Sequence, residues 1–232
     1  MFRYKTKTGI TCGCLLVLFI LLLSSCTNVS ITSPVSPTAT IGPLNQVVFR
    51  DGFDSQDGNW GTYSSKDGSA SYENSKLYIR NYTASEYPSA SYLSTSLTDG
   101  QFSDFALGVE MELVSGSTAN WQSVICRHNE VGDYYKFCIG ANGKYSIQKS
   151  VGGVATMLRT PTSSKYIRTG LGVTNNIRVD CIGDSLTLYI NGSSVAQISD
   201  NTVVAGNVGF SVESYSGEYT EVAFDNVVIW TS

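Results

Sequence analysis

Beyond Val47 hydrophobic and polar residues alternate along most of the chain, and tight-turn residues interrupt the alternation at short intervals. Between Phe105 and Leu113 the side chains of Leu107, Val109, Met111 and Leu113 fall on one side, and Gly108, Glu110 and Glu112 on the other. This period of two is the pattern of a strand with one buried face. Trp121 to Arg127 and Tyr134 to Ile139 flank the polar stretch Asn129 to Asp133, which predicts a hairpin. Asn142-Gly143 then turns the chain into Tyr145 to Ser150. Ile177 to Cys181, a Gly183-Asp184 turn, Leu186 to Ile190, an Asn191-Gly192 turn and Ser193 to Ile198 form a meander. Asn-Gly between alternating segments is a strong hairpin signal, because both central residues of that turn need positive φ. Val208 to Glu213 and Glu221 to Trp230 follow. No stretch has a helical period, and roughly a dozen short strands with tight turns predict an all-β, antiparallel β-sandwich or jelly roll.

The first residues read differently. Arg3, Lys5 and Lys7 precede an apolar run from Ile10 that ends in Leu23-Ser24-Ser25-Cys26. A basic start, a short uncharged core and small residues before a cysteine predict a bacterial lipoprotein signal peptide over 1-25, with lipid on Cys26. The apolar run is shorter than the roughly 20 residues that span a bilayer. Residues 26-46 carry no charge and contain Pro34, Pro37 and Pro43, so a disordered tether about 60 Å long when extended is expected there. The third region, 47-232, is long enough for one sandwich domain. These readings place the protein outside the cytoplasm, lipid-anchored to a membrane.

Three of the 15 Lys and Arg lie in the leader and all 19 Asp and Glu beyond it, which leaves the remainder at −7. An acidic chain without a basic run argues against nucleic acid or an anionic membrane surface as partner. Cys126, Cys138 and Cys181 are the cysteines of the domain, no Cys-x-x-Cys occurs, and His128 is the single histidine. Zinc or iron–sulfur sites, a thiolate mechanism and nucleotide cofactors therefore have no support. Alternation puts Cys181 with Ile177 and Val179, and Cys126 with Val124, on apolar faces. A Cys126–Cys181 disulfide is the first expectation and Cys126–Cys138 the second.

Phe49-Arg50-Asp51-Gly52-Phe53 with Trp60, Phe102-Ser103-Asp104-Phe105, Val124-Ile125-Cys126-Arg127, Asp133-Tyr134-Tyr135, the run Gly183 to Gly192 and Phe224-Asp225-Asn226-Val227-Val228 resemble concanavalin A-like lectin/glucanase domains. Within that superfamily the chain is most similar to the bacterial laminin-G-like and 3-keto-disaccharide-hydrolase-like group. The resemblance implies a concanavalin A-like jelly roll of two curved sheets, with Val48 to Phe53 lying near Val222 to Trp230. It also implies a glycan partner, while leaving lectin, glycosidase and inert spacer open.

Trp121, Arg127, Tyr134, Tyr135 and Tyr145, with Lys136 and Lys149, lie on three successive predicted strands and are the candidate ligand-binding set. Aromatic faces stack on sugar rings while Arg bonds to hydroxyls. Glu110 and Glu112 share a face about 7 Å apart, and a glycosidase needs such a pair of carboxyl groups. The alternating run of three acids of laminarinase-like relatives is absent, because Gly108 and Val114 flank them. Asp51 and Asp225, with Asp54 and Asp57, are oxygen ligands for a possible calcium. Trp60 and Trp230 are expected to close the ends of the sandwich. The function expected is non-catalytic carbohydrate binding at a cell surface. The alternatives are glycoside or 3-keto-disaccharide hydrolysis, and a structural or adhesion domain that binds a protein.

Overall fold

The computed structural model describes residues 44–56, 59–82, 91–215 and 219–232, the side chains of 91–95 excepted. The predicted leader, Cys26, most of the tether and Asp57 lie outside the described residues. Among those described, no helix is long and apolar enough to cross a membrane, and the fold is built from fifteen strands. In chain order these are β1 (Gln46–Asp51), β2 (Tyr63–Ser64), β3 (Gly68–Glu73), β4 (Lys76–Asn81), β5 (Ser91–Ser96), β6 (Phe105–Ser115), β7 (Trp121–His128) and β8 (Tyr134–Gly140). They continue with β9 (Lys144–Val151), β10 (Val154–Ser163), β11 (Thr174–Ile182), β12 (Ser185–Ile190), β13 (Ser193–Ser199), β14 (Asn207–Ser214) and β15 (Thr220–Thr231).

The strands form two antiparallel sheets. A nine-stranded sheet runs β13-β12-β11-β6-β15-β4-β3-β2, with β1 also paired to β15, and a six-stranded sheet runs β10-β9-β8-β7-β14-β5. The first and last strands are neighbours, as the resemblance implied: Val47 lies opposite Trp230 and Asp51 opposite Val227. The predicted hairpins 121–139, 134–150 and 177–198 all form. Asn191 and Gly192 take the positive φ that their turn requires, 49° and 82°.

The alternation read from the sequence sets the core. Leu107, Val109, Met111 and Leu113 of β6 are buried against Val124, Phe137, Ile147 and Phe210 of the other sheet. Through the middle of the sandwich run three stacked rings. Trp60 and Phe210 have centroids 4.7 Å apart, and Phe210 and Phe224 4.6 Å. Trp60, expected at an end of the sandwich, is thus a plug of its core. Its indole N–H donates to Asp51 Oδ2 at 3.1 Å, while Asp51 Oδ1 accepts the Phe53 amide at 2.7 Å. Trp60 is buried this deeply because its one polar atom is satisfied.

Arg127, expected at a binding face, is instead 1% exposed and has φ 54°. Its guanidinium donates to the carbonyls of Ser103 (2.9 Å), Gly183 (3.0 Å) and Val203 (3.1 Å) and lies 3.4 Å from Asp104 Oδ1. One side chain therefore gathers three connecting segments at this end of the sandwich. Its five fixed donors suit that task. Gly206 completes the joint, since a Cβ there would meet the Arg127 backbone at 2.5 Å.

Tyr135 and Lys149 hold the same end through Asp200. The Tyr135 hydroxyl donates to Asp200 Oδ1 at 2.6 Å and accepts the Val203 amide at 3.0 Å, and Lys149 Nζ reaches Asp200 Oδ2 at 2.6 Å. Burial opposes ionisation of Asp200, but the bonds from Lys149, Thr202 and Tyr135 outweigh it and hold its carboxyl well below the usual carboxylate range. Burial, followed by the bond to Asp200, pushes Tyr135 up to about 12.

Cys126 and Cys181 face each other from opposite sheets, as alternation required, but the expected disulfide is not formed. Both are buried free thiols, and the Cys126 side chain hydrogen-bonds Cys181. Burial raises the Cys126 thiol well above its ordinary value, which disfavours the thiolate that disulfide exchange needs. The second expected pairing fails on geometry. Cys138 lies on the other side of the six-stranded sheet, where Gln148 Nε2 donates to its sulfur at 3.2 Å.

Two stability measurements follow from this end of the sandwich. Arg127→Met leaves three carbonyls without their donor and should cost about 3 kcal/mol in urea unfolding. Because the Asp200 pKa is depressed on folding, its contribution is fully present above the unfolded value of about 4, declines below it and is lost as pH falls through the lower folded value. The stability difference between the wild-type chain and Asp200→Asn should therefore shrink steadily below about pH 4.

Candidate functional site

An open cleft of about 520 Å³ lies on the outer face of the nine-stranded sheet. Gly108, Glu110, Asn176, Arg178, Tyr189, Asn226, Val228 and Trp230 line it. Those on β6, β11 and β12 come from the polar side of an alternating strand. On β6 the inward set of Leu107, Val109 and Met111 turns Gly108 and Glu110 outward. On β11 the buried Ile177 and Val179 do the same for Asn176 and Arg178, and on β12 Leu188 and Ile190 do so for Tyr189.

Trp230 reaches this face through a break in β15. Val222 and Phe224 point into the core, but so do Val227 and Ile229, because the register shifts between Asp225 and Val228. Asn226 absorbs the extra residue in the left-handed region, with φ 53°. The bulge reverses the alternation and turns Val228 and Trp230 outward. Trp230 was expected to close an end of the sandwich. It lies partly exposed on the sheet face instead, its ring over Gly108, where a Cβ would come within 3.0 Å of the indole.

The wall of the cleft is aromatic and cationic. The Arg178 guanidinium sits 5.3 Å from the Trp230 ring and 5.7 Å from the Tyr189 ring, and Asp180 holds it at 2.6 Å. Asp180 thereby fixes the guanidinium between the two rings and offsets its charge. On the floor Glu110 and Asn176 stand in direct register on adjacent strands, and Asp225 continues the row on β15 just outside the cleft. Asn226 Nδ2 donates to Glu110 Oε2 at 3.2 Å.

Glu110 and Glu112, the acidic pair expected from the sequence, share the outer face of β6. Glu112 is ion-paired to Lys76 at 2.9 Å. The neighbour that register gives Glu110 is Asp225, a cross-strand partner that periodicity within one strand could not show. Burial first, then the charges of Glu110 and Asp54, raise the Asp225 pKa against the opposing Asn226 amide and Lys76. Asp51, the other acid expected at a metal site, accepts hydrogen bonds from Trp60 and Phe53. Among the described residues, no group of three or more His, Cys, Asp or Glu is arranged to hold a metal ion.

The predicted ligand set does not converge. Tyr135 and Tyr145 belong to the core, with the Tyr145 hydroxyl on the Val195 carbonyl at 2.9 Å, and Arg127 is the buried clamp already described. Alternation paired Tyr135 with Phe137, and that apolar company was the signal of its burial. Trp121 and Tyr134 do reach the outer face of the six-stranded sheet. There Trp121 hydrogen-bonds the Tyr215 hydroxyl, which donates to Glu213 Oε2 at 2.9 Å, and Glu213 pairs with Lys136. Lys136 spans from β8 across β7 to reach its partner on β14, and desolvation lowers its pKa. Tyr134 packs edge-on against the exposed His128 at 5.6 Å. The aromatic and charged groups of this face are thus engaged with one another.

No family model matches the sequence, and no curated protein matches it. Solved structures do match in fold. A carbohydrate-binding module, CBM66 from Bacillus subtilis, superposes with a TM-score of 0.59 at 14% identity over 75% of this chain and 96% of its own. A β-1,3-1,4-glucanase (lichenase) from a mouse hindgut metagenome gives 0.60 at 12% identity over 79% and 98%. Bacillus licheniformis β-glucanase gives 0.58 at 10% identity over 79% and 97%. With two antiparallel sheets, adjacent first and last strands, and these neighbours, the chain has the concanavalin A-like jelly-roll fold.

Proposed function

We propose that this is a carbohydrate-binding domain without catalytic activity, displayed outside a bacterial cell by a lipid on Cys26. The observation that carries the binding reading is the cleft beside Trp230. It combines an exposed indole and a tyrosine ring, suited to the apolar faces of sugars, with Arg, Asn and Glu side chains suited to hydroxyls. The fold is shared with a carbohydrate-binding module and with glucanases, which supports the same class of ligand. Weak single-site affinity would be offset by many anchored copies acting together.

A second reading has its own observation. Glu110 and Asp225 are directly opposed across β6 and β15 beside the cleft, and the Asp225 pKa is raised. A pair of carboxyl groups, one of them with a raised pKa, is what glycoside cleavage uses. Against this, Asn226 engages Glu110, and Asp225 does not line the cleft itself. The adhesion reading has less support. The edge strand β10 is exposed along most of its length, but it carries Pro161 and Arg159 where its register with β9 shifts, features that discourage pairing with another strand.

Retention on insoluble polysaccharides, with product analysis in parallel, tests these alternatives. Trp230→Ala should weaken retention roughly tenfold, about 1.4 kcal/mol, while Trp121→Ala leaves it unchanged. The reverse pattern would move the site to the six-stranded sheet. Sugar products that vanish in both Glu110→Gln and Asp225→Asn would replace binding by hydrolysis. Fractionation tests the anchor: Cys26→Ser should move the protein from the membrane to the soluble fraction, and an unchanged distribution would refute lipidation at this residue.

A further inference from the structure

The cleft has one open end. Its floor row continues from Asn176 to Asn191, since Ile177 lies opposite Ile190 and the two asparagines follow in register. From Asp225 through Glu110 and Asn176 to Asn191 the row crosses four adjacent strands, a span of about 14 Å at about 4.8 Å per strand. Beyond it stands Gly192, where a Cβ would meet nothing within 4 Å. The turn that could have closed the cleft is therefore low and unobstructed.

Asn191 joins this end to another segment. Its Oδ1 accepts the Asn176 amide at 2.9 Å, and its Nδ2 donates to the Tyr166 carbonyl at 2.7 Å and to Asn175 Oδ1 at 2.8 Å. Asn175 in turn exchanges two hydrogen bonds with the Arg168 backbone, both 2.9 Å. The 164–173 connection is thus fastened at the strand ends behind the floor row, for Asn175 faces the core. Tyr166 is 41% exposed, and Lys165 places its ammonium 5.2 Å from the Tyr166 ring. An exposed aromatic ring is thus carried beside the Asn191–Gly192 turn, at the end of the cleft that Gly192 lines.

We infer that the binding surface continues over the Asn191–Gly192 turn onto Tyr166, so that the domain reads an extended stretch of a linear, uncharged polysaccharide. The inference rests on the cleft reading above. Negative charge in the ligand is disfavoured by Glu110 on the floor and by Asp225 beside it, and Arg178, already paired with Asp180, offers no free cation to hold an anion. Length follows from the row: a single sugar would leave either the Trp230 end or the Tyr166 end unused.

Calorimetry with the full chain in detergent tests this, using mixed-linkage β-glucan, β-1,3-glucan and chitin oligosaccharides from disaccharide to octasaccharide. Affinity should rise with length by roughly tenfold. Tyr166→Ala should remove that gain for the longest ligands while leaving the disaccharide and the melting temperature unchanged. Trp230→Ala should weaken every length. If Tyr166→Ala has no effect, or the same effect at all lengths, the extension is wrong and the cleft stands. If the wild-type chain binds none of the three series, both readings fall.

Discussion

The larger sheet depends on β15 being hydrogen-bonded along both edges. One edge runs against β6 for most of its length; the other is shared, with Thr220 to Phe224 on β4 and Val227 to Thr231 on β1. A strand that serves two partners in sequence has to change phase where it passes from one to the other, and Asn226 is where it does so. The short polar side chain tolerates the left-handed conformation, and its amide is satisfied by Asp225 Oδ1 at 2.7 Å. Without that residue Trp230 would face the core and Ile229 the solvent. The position of β1, the packing of the chain end and the aromatic wall of the cleft all follow from one bulge.

Much of the fold could be read from the chain because its signals are local. Alternation in 105–113, 177–181 and 186–190 assigned inward and outward faces correctly, and Asn142-Gly143 and Asn191-Gly192 marked real turns. The site was harder because it is assembled across strands. Gly108, Arg178, Tyr189 and Trp230 were each legible as polar-face or outward residues, apart from Trp230, whose phase the bulge reversed. Their adjacency depends on β6 pairing with both β11 and β15, contacts between residues far apart in the sequence. No periodicity reports such pairings.

Arg127, Tyr135 and Tyr145 show the converse difficulty. Residue types rich in hydrogen-bonding atoms suit a glycan surface, but they serve equally to tie down connections that a sandwich leaves at its ends. Three carbonyls on one guanidinium, and a tyrosine hydroxyl on Asp200 and Val203, are solutions to the satisfaction of backbone groups where strands stop. Chemistry alone does not separate the two uses. Register does, since Tyr135 shares its face with Phe137 and Ile139 in the core.

The pairing of β1 with the end of β15 also has a mechanical side. Gln46, the first residue of the sheet, lies opposite Thr231, and Val47 lies opposite Trp230. Force arriving along the residues before Gln46 is borne first by these two pairs, and the second of them contains the aromatic wall of the cleft. A domain held on a cell and attached to a fixed polymer would carry tension along this line. Under that proposal its grip and the load upon it would share a residue, and β1 would act as the coupling between what holds the protein and what the protein holds.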